Sequence, residues 1–327
     1  MSIAPYIKEI GRGKDGARPL DATQAQDLFG QVLDRTVSPA QIGAFCVAMR
    51  IKGETSSELQ GFEIATRQRQ IALPRALATA HDRVKQGQSS GIVILPSYNG
   101  ARRLPNLTAL LAAHLSAQGV CVLVHGLAAD PTRVTTQQVF AACGLPIVRT
   151  DDELAAAWNK GAAAYIDITE LNPGLAGLLA MRWELGLRNP AHTIAKLLDP
   201  WPTADVPRMR VVNHTHPEYA GSLTAFLTDT AANAMLMRGT EGEPVADARR
   251  QPRCDTFLAG QRVDLLSLAP QEGVLQALPD LPGSCDADST ATYIQAVLTG
   301  QRPLPTSIAE QARVLLLALQ QQSATAP

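Results

Sequence analysis

The sequence has no long apolar segment. No apolar run in its 327 residues approaches the about 18 residues that a membrane-spanning helix needs. The first residues, MSIAPYIKEIGRGK, also lack the apolar core of a secretory signal. Because 46% of the residues are hydrophobic and 18% are charged, the composition is that of an ordinary globular protein. We therefore expect a cytoplasmic protein that has no membrane partner.

Cysteine is scarce and shows no pairing pattern. The five cysteines form no Cys-x-x-Cys pair, and their number is odd. Cys46, Cys121 and Cys143 stand in apolar surroundings. These features predict reduced thiols in the core of a cytoplasmic protein.

Common catalytic signatures are also absent. The sequence contains no Gly-x-Ser-x-Gly, no Walker loop and no dinucleotide-binding fingerprint. His214 and His216 have a spacing that suits a metal on a strand, but no cysteine or third histidine stands nearby. We expect no metal and no cofactor.

The two signs of charge nearly balance, but they are unevenly distributed. Residues 1–125 carry 14 Lys+Arg against 9 Asp+Glu, and residues 126–327 carry 15 against 21. A polarised molecule of this kind can present a basic face to a polyanion. The pI of about 6.6 argues against a nucleic-acid-binding domain, which usually has a basic excess.

Helical patterns dominate the first 70 or so residues. Ser38 followed by proline predicts the start of a helix that Gly53 ends. Thr55 and Glu58 have the spacing of a capping box, which predicts the start of the next helix. The first part of the chain is therefore expected to be helical.

From about residue 90, short apolar strands such as GIVILP and VCVLVHG alternate with helices. This alternation predicts an α/β fold with a mostly parallel sheet covered on both faces. Ligands bind at the carboxyl ends of such strands, so the loops 96–106 and 125–136 are the candidate site. We predict a helical domain over residues 1–72, joined in space by helices from about 171–199, and an α/β domain over residues 73–327.

Several segments, in this order, resemble anthranilate phosphoribosyltransferases, within the superfamily (glycosyltransferase family 3) that includes thymidine phosphorylases. They are AFCVAMRIKGETSSELQGF (44–62), NLT (106–108), VHG (124–126), MRWELGLRNPAHTIAKLLDP (181–200) and MLMRGTEG (235–242). The resemblance implies a small N-terminal helical domain on a larger α/β domain, and a homodimer formed through the helical domain.

The residues that carry this family's chemistry are replaced here. The family's Gly-Thr-Gly-Gly-Asp loop, whose backbone holds a diphosphate, corresponds to PSYNG (96–100). Its Lys-His-Gly-Asn-Arg segment corresponds to VHGLA (124–128), where we expect His125 to pack in the core. Its magnesium-binding Asp-Glu pair corresponds to PV (244–245). We expect a former phosphoribosyl-diphosphate cleft without catalytic residues.

Four further segments, IKEIGRGKDGAR, PSYNGARR, DPTR and MRW, resemble the YbiB-type branch of the superfamily. This resemblance implies a nucleic-acid-binding homologue without established transferase activity.

The N-terminal loop carries Lys8, Arg12, Lys14 and Arg18 around three glycines. Mobile cations of this kind can follow a phosphate backbone without reading sequence. The alternative is a solvated turn.

Arg102 and Arg103 stand near Tyr98 in the loop that replaces the diphosphate cradle. Adjacent arginines beside an exposed aromatic ring can bind phosphate and stack a base. The alternative is that the arginines form salt bridges and that Tyr98 fills the space left by the glycines.

Arg133, Arg182, Arg188 and Lys196 come from segments that border the same cleft in the resembling family. They could extend a basic surface into a groove. Arg182 next to Glu184 could equally be a structural ion pair.

Our first hypothesis is a homodimeric, sequence-indifferent binder of single-stranded DNA or RNA, in which a two-fold axis joins two basic patches. The second is an active glycosyl- or phosphoribosyltransferase with an altered substrate. The third is a degenerate scaffold that binds a protein partner. Salt dependence separates the first two, because a polyelectrolyte binder releases several counterions.

Overall fold

The structure, a computed structural model, describes residues 2–13, 15–275 and 278–325. Four helices come first: α1 (Ala4–Ile10), α2 (Ala22–Leu33), α3 (Pro39–Lys52) and α4 (Ser56–Arg67). Two predicted helix starts are confirmed. The Ser38 side chain accepts from the Gln41 backbone N–H at the start of α3, and the Thr55 side chain accepts from the Glu58 N–H at the start of α4. Both belong to complete capping boxes, which satisfy N–H groups that a helix start leaves unpaired.

One eight-stranded sheet forms the centre of the larger part. Its strands are β1 (Ile92–Ser97), β2 (Cys121–Gly126), β3 (Ile147–Val148), β4 (Ala164–Asp167), β5 (Arg208–His214), β6 (Ala234–Arg238), β7 (Cys254–Leu258) and β8 (Gln261–Arg262). The strand order is β3-β4-β2-β1-β5-β6-β7-β8. The first six strands pair in parallel and the last two antiparallel, so the prediction of a mostly parallel sheet is confirmed.

Further helices follow α4, and together with the sheet they bury two apolar clusters. They are α5 (Pro74–Lys85), α6 (Thr108–Ala117), α7 (Thr136–Ala142), α8 (Asp151–Asn159), α9 (Ile168–Leu171), α10 (Pro173–Ala180), α11 (Arg182–Leu185), α12 (Ala191–Leu197), α13 (Tyr219–Asp229), α14 (Ala287–Leu298) and α15 (Thr306–Thr325), with a 3₁₀ turn at Asp264–Leu266. In the part of the chain that the structure describes, no helix combines the length and apolar character needed to cross a membrane.

The helices between β4 and β5 lie beside the N-terminal ones. α10 packs against α2, and α12 packs against α4. Helices were expected over about 171–199, and the chain forms the short helices α10, α11 and α12 there. Gly186 follows α11 with a φ of 68°, a left-handed conformation that ends a helix.

The chain forms the strands on one side of β1 first and those on the other side afterwards. It runs from β1 to the adjacent β2, then to the edge strand β3 and back to β4, and then it places β5 and β6 on the opposite side of β1. The strand order therefore reverses between β1 and β5. Open α/β sheets bind ligands at the carboxyl ends of the strands that flank such a reversal.

Candidate functional site

A cleft of about 350 Å³ lies at this reversal, between the end of α3, α12 and the residues that follow β1 and β5. Its charged and imidazole side chains are those of Arg50, Glu54, Arg133, Arg182, Arg188, His192, Lys196, His214, His216 and Glu241. Two segments meet beside it. We call residues 97–103, which begin at the last residue of β1, the β1 loop. Residues 239–243, which follow β6, are the acidic turn.

An internal carboxylate holds the β1 loop. The backbone N–H groups of Asn99 and Gly100 donate to Oε1 of Glu243 over 2.8 and 2.7 Å. Oε2 of Glu243 lies against the hydroxyls of Ser97 and Thr136. Glu243 is only 1% exposed, so these donors replace the water that its carboxylate lost on folding. The chain's own carboxylate thus occupies the backbone cradle in which the family resemblance places a diphosphate.

A second glutamate of the acidic turn holds the rest of the loop. The backbone N–H groups of Arg102 and Arg103 donate to the Glu241 carboxylate over 2.5 and 2.9 Å. Glu241 has a φ of 50°, a left-handed conformation that strains a non-glycine residue. At Gly242, where φ is 88°, a Cβ would collide with the Asn99 amide. The strained turn is therefore packed closely against the loop that it holds.

Four arginines line the cleft, and three of them lie close to the β1 loop or to Asp130. Arg133 donates to a carbonyl of the β1 loop over 3.2 Å, and Arg188 donates to Oδ1 of Asn99 over 2.8 Å. Arg182 lies 3.5 Å from the Asp130 carboxylate. Burial, and then the charges of Arg182 and Arg133, lower the pKa of Arg188 to about 10, and Asp130 opposes this only in part. The cleft therefore has a local excess of positive charge.

Lys196 adds a buried amine to this group. It is 8% exposed, and its Nζ donates to Oδ1 of Asn213 over 2.9 Å and to the Gly242 carbonyl over 3.4 Å. Burial, and then the charge of Arg188, lower the pKa of Lys196 to about 7, although Glu243 favours the charged form. The amine therefore changes its protonation state near neutral pH.

The folded protein is expected to become more stable as the pH rises above 7, because of Lys196. Its folded pKa of about 7 lies below its ordinary 10.5, so the unfolded chain binds more protons between these values. The free energy of unfolding should then rise by up to about 1.4 kcal/mol per pH unit. Urea denaturation between about pH 7 and 8.5 would measure this rise, which Lys196→Met should remove. If the free energy of unfolding rose equally with pH in the wild type and in Lys196→Met, the rise would not come from Lys196.

Glu54 gives the cleft a second group that titrates near neutrality. Desolvation, opposed by a backbone hydrogen bond, raises the pKa of this half-buried carboxyl to about 7, and the charge of Glu58 adds to the effect. Glu58 itself is fully buried and forms a 2.6 Å ion pair with Lys52. Among the residues of this helix end, Glu54 is thus the carboxyl that faces the cleft.

Four of the predicted site residues lie together. Arg133, Arg182, Arg188 and Lys196 all line the cleft. The suggested pairing of Arg182 with Glu184 is wrong, because Asp130 lies against the guanidinium instead. The structure thus brings together the four cations that the sequence placed on separate segments.

The N-terminal cations do not line the cleft. Lys8, Arg12 and Arg18 are exposed on and after α1, and Arg12 forms a 2.5 Å ion pair with Glu9. Lys14 lies outside the described residues.

The β1 loop differs from expectation at Tyr98. We expected an exposed ring for base stacking, but Tyr98 is 2% exposed and its hydroxyl lies 2.7 Å from Nδ1 of the buried His125. The expectation of an exposed ring is wrong, because the side chain fills the space that a glycine would leave. Arg102 and Arg103 are exposed, and in the described ranges neither side chain forms an ion pair.

Sequence reasoning missed three residues of this region. The pairing of Glu241 and Glu243 with the β1 loop joins segments about 140 residues apart, and no local pattern predicts it. Trp183 is 53% exposed beside the cleft and lies under the guanidinium of Arg182. The MRW segment was noted only as a resemblance, although an exposed tryptophan next to an arginine is a usable signal.

The donor set does not fit the magnesium of the resembling family. Pro244 and Val245 have no side-chain oxygen. Both carboxylates of the acidic turn accept hydrogen bonds from the β1 loop. Among the described residues, no group of three histidine, cysteine or acidic side chains could hold a metal ion. Magnesium needs several oxygen ligands, so we derive no step through it.

Comparisons with known proteins agree with this fold. A family model described as "Glycosyl transferase family, helical bundle domain" matches residues 4–69. The uncharacterized protein YbiB of Escherichia coli (strain K12) is 37% identical over 327 residues, which cover 97% of this chain and 94% of that protein. The anthranilate phosphoribosyltransferase of Anaeromyxobacter dehalogenans (strain 2CP-C) is 26% identical over 93% of this chain and 84% of its own. The structure of anthranilate phosphoribosyltransferase (TrpD) from Thermus thermophilus superimposes with a TM-score of 0.66 at 17% identity, over 97% of this chain and 98% of that one.

Proposed function

The chain belongs to the anthranilate phosphoribosyltransferase superfamily, and we propose that it uses this fold to bind nucleic acid without reading its sequence. The observation that carries the proposal is the group of arginines in the cleft. Arg133 and Arg182 lie close enough to Arg188 to lower its pKa, and Asp130 opposes this effect only in part. Like charges held together are unfavourable unless an anion neutralises them, and a phosphate backbone supplies that anion.

The contacts of Glu243 argue against diphosphate binding in the cradle. Its carboxylate accepts both backbone N–H groups that a phosphate oxygen would need. A diphosphate would have to displace a buried group that four donors hold. The anion is therefore expected to lie against the side chains of the cleft and not against the backbone of the β1 loop.

The β1 loop extends the basic surface outward. Asn99 and Gly100 contact the cleft arginines, and Arg102 and Arg103 stand exposed a few residues later. A nucleic-acid strand that is bound in the cleft can thus continue along the β1 loop. Contacts of this type position a backbone but carry no sequence information.

One observation favours a second candidate function, an enzyme that acts on a small anionic substrate. The cleft holds Lys196 and Glu54, both with a pKa of about 7. General acids and bases work best with pKa values near the operating pH. A cleft of about 350 Å³ also falls within the range of small-molecule sites.

The experiment that separates the candidates is fluorescence anisotropy of a mixed-sequence oligonucleotide at several salt concentrations. A nucleic-acid binder should lose affinity linearly in log salt, with several counterions released. An excess of a mononucleotide should compete poorly, because it offers a single phosphate group. The absence of binding at low salt would refute the proposal. Competition by the mononucleotide with a shallow salt slope would favour the enzyme.

We also propose that the protein forms a homodimer through α3. The exposed side of this helix carries Ala40, Ala44, Val47 and Ile51, an apolar stripe at helical spacing. Apolar residues at such spacing on an exposed helix face are typical of a surface that packs against another helix. A second copy would also bring two basic clefts into one assembly.

Ile51→Asp is expected to yield a monomer. Ile51 is 61% exposed, so the substitution leaves the fold of one chain intact but places a charge in the proposed interface. Analytical ultracentrifugation of the wild type and the variant would measure the mass. The control is Leu265→Asp, which adds the same charge at an exposed apolar residue of the 3₁₀ turn. A wild-type monomer, or a variant that remains a dimer, would contradict this interface.

A further inference from the structure

A second cavity of about 410 Å³ adjoins the cleft. It lies at the carboxyl ends of β2 and β4, farther along the edge of the sheet that forms the first site. Arg182 and His192 line both cavities. Its other lining residues include apolar ones such as Leu127, Ile147 and Trp183. They also include the charged residues Asp130, Arg149, Asp167 and Glu170.

Trp183 stands out among the tryptophans. Trp158 and Trp201 are buried, and their indole N–H groups donate to backbone carbonyls over 3.1 and 3.0 Å. Trp183 is 53% exposed at the second cavity. Exposing so much of a large apolar ring is unfavourable in water, so a partner that covers it would gain the free energy of burial.

Arg182 fixes the orientation of this ring. Its guanidinium carbon lies 4.4 Å from the centre of the Trp183 ring, and the Asp130 carboxylate holds the guanidinium from another side. Cation–π contact of this kind is favourable and restrains both side chains. The pair forms a flat surface that is aromatic and positively charged, beside the arginines of the cleft.

The second cavity also contains an unsatisfied polar atom. Gln137 lines it, and Oε1 of this residue is buried without a hydrogen-bond partner among the described residues. A buried acceptor of this kind is unfavourable unless a ligand or water donates to it. The exocyclic amino group of a nucleobase is a suitable donor.

We propose that Trp183 and Arg182 stack one unpaired nucleobase at the second cavity while its flanking phosphates bind the cleft arginines. This inference rests on the proposed nucleic-acid binding. Because a base inside a duplex already stacks on its neighbours, the site selects single strands over duplexes. Gln137 contacts the polar edge of the stacked base.

Binding of a single strand and of the matching duplex, each about 20 nucleotides long, tests this selection in the full-length protein. Trp183→Leu should weaken single-strand binding about tenfold, and Trp183→Phe should weaken it less, because phenylalanine keeps an aromatic face. Duplex binding should change less than about twofold, and the log-salt slope should stay the same, because stacking releases no counterion. Leu265→Ala is the control, since it removes an exposed leucine of the 3₁₀ turn, which lies outside both cavities.

Tryptophan fluorescence supplies an independent readout. The single strand should quench the exposed Trp183, and the quenching should vanish in Trp183→Phe, because Trp158 and Trp201 are buried. Equal losses for single strand and duplex, or no loss for either, would overturn the stacking site but leave nucleic-acid binding in place. A wild type that binds neither ligand would refute both proposals. If Trp183→Leu instead changed the oligomeric mass, the ring would belong to a protein interface and the stacking site would be wrong.

Discussion

Replacing Arg102 and Arg103 together by glutamate is expected to lower the affinity for a single-stranded oligonucleotide about 100-fold at low salt. Both side chains are exposed, and in the described parts of the chain neither forms an ion pair. Each is therefore available to a phosphate, and a glutamate in its place repels one. The log-salt slope should fall by about 1.4, the value expected when two phosphate contacts to a single strand are lost.

A second double variant with the same change in net charge distinguishes the loss of a local contact from the effect of net charge alone. Lys85 at the end of α5 and Lys160 directly after α8 are exposed, and among the described residues neither forms an ion pair. Changing both to glutamate alters the net charge by the same amount as the reversal in the β1 loop. This control should lower the affinity only slightly, because its charges are screened beyond about 10 Å at moderate salt. Equal losses for the two double variants would show that the β1 loop makes no specific contribution. Both variants should keep the wild-type unfolding midpoint.

Glu243→Ala is expected to destabilise the protein by about 3 kcal/mol. The substitution leaves the buried backbone N–H groups of Asn99 and Gly100, and the hydroxyls of Ser97 and Thr136, without the carboxylate that they contact. Unfolding in urea would measure the loss. A change below about 0.5 kcal/mol would show that water replaces the carboxylate at little cost.

Pyrophosphate should restore part of this stability to Glu243→Ala but not to the wild type. The vacated cradle presents two backbone N–H groups toward an anion, as phosphate sites do. Pyrophosphate at 100 times its Kd would raise the free energy of unfolding by about 2.7 kcal/mol. Gln311→Ala is the control, because Gln311 is fully buried and bonds Ala246 and Pro244, yet its removal opens no cradle. If pyrophosphate stabilised both variants equally, the effect would be a general one of salt. The interpretation that the Glu243 carboxylate occupies an anion site would then be wrong.

Local signals predicted the local structure well. Ser38 and Thr55 begin their helices as expected, because a cap is a contact within four residues and depends on little else. Alternating apolar strands and helices predicted the parallel part of the sheet. They did not predict the antiparallel edge of β7 and β8, because this pairing depends on the turn at Gly260 and on contacts with neighbouring strands.

The candidate site was predicted in part. The loops after β1 and β2 were identified because strand ends of a parallel sheet meet at one edge. The cleft arginines were identified through the family resemblance, and the structure brings them together. Tyr98 was wrongly expected to be exposed, since its exposure depends on whether His125 lies within reach of its hydroxyl. That distance is a property of packing between two strands.

By itself the sequence determined the class of fold, the edge of the sheet that holds the candidate site, and the loss of the residues that bind diphosphate and magnesium in the resembling family. The class of fold and the edge of the sheet follow from residue types and from periodicity along the chain, and the loss of those residues follows from the family resemblance. Only the tertiary structure decided that Glu243 accepts the backbone N–H groups of the β1 loop and that Glu241 accepts those of the two exposed arginines. Each of these contacts joins residues about 140 positions apart, and its free energy depends on burial and distance, which are defined only after the chain has folded.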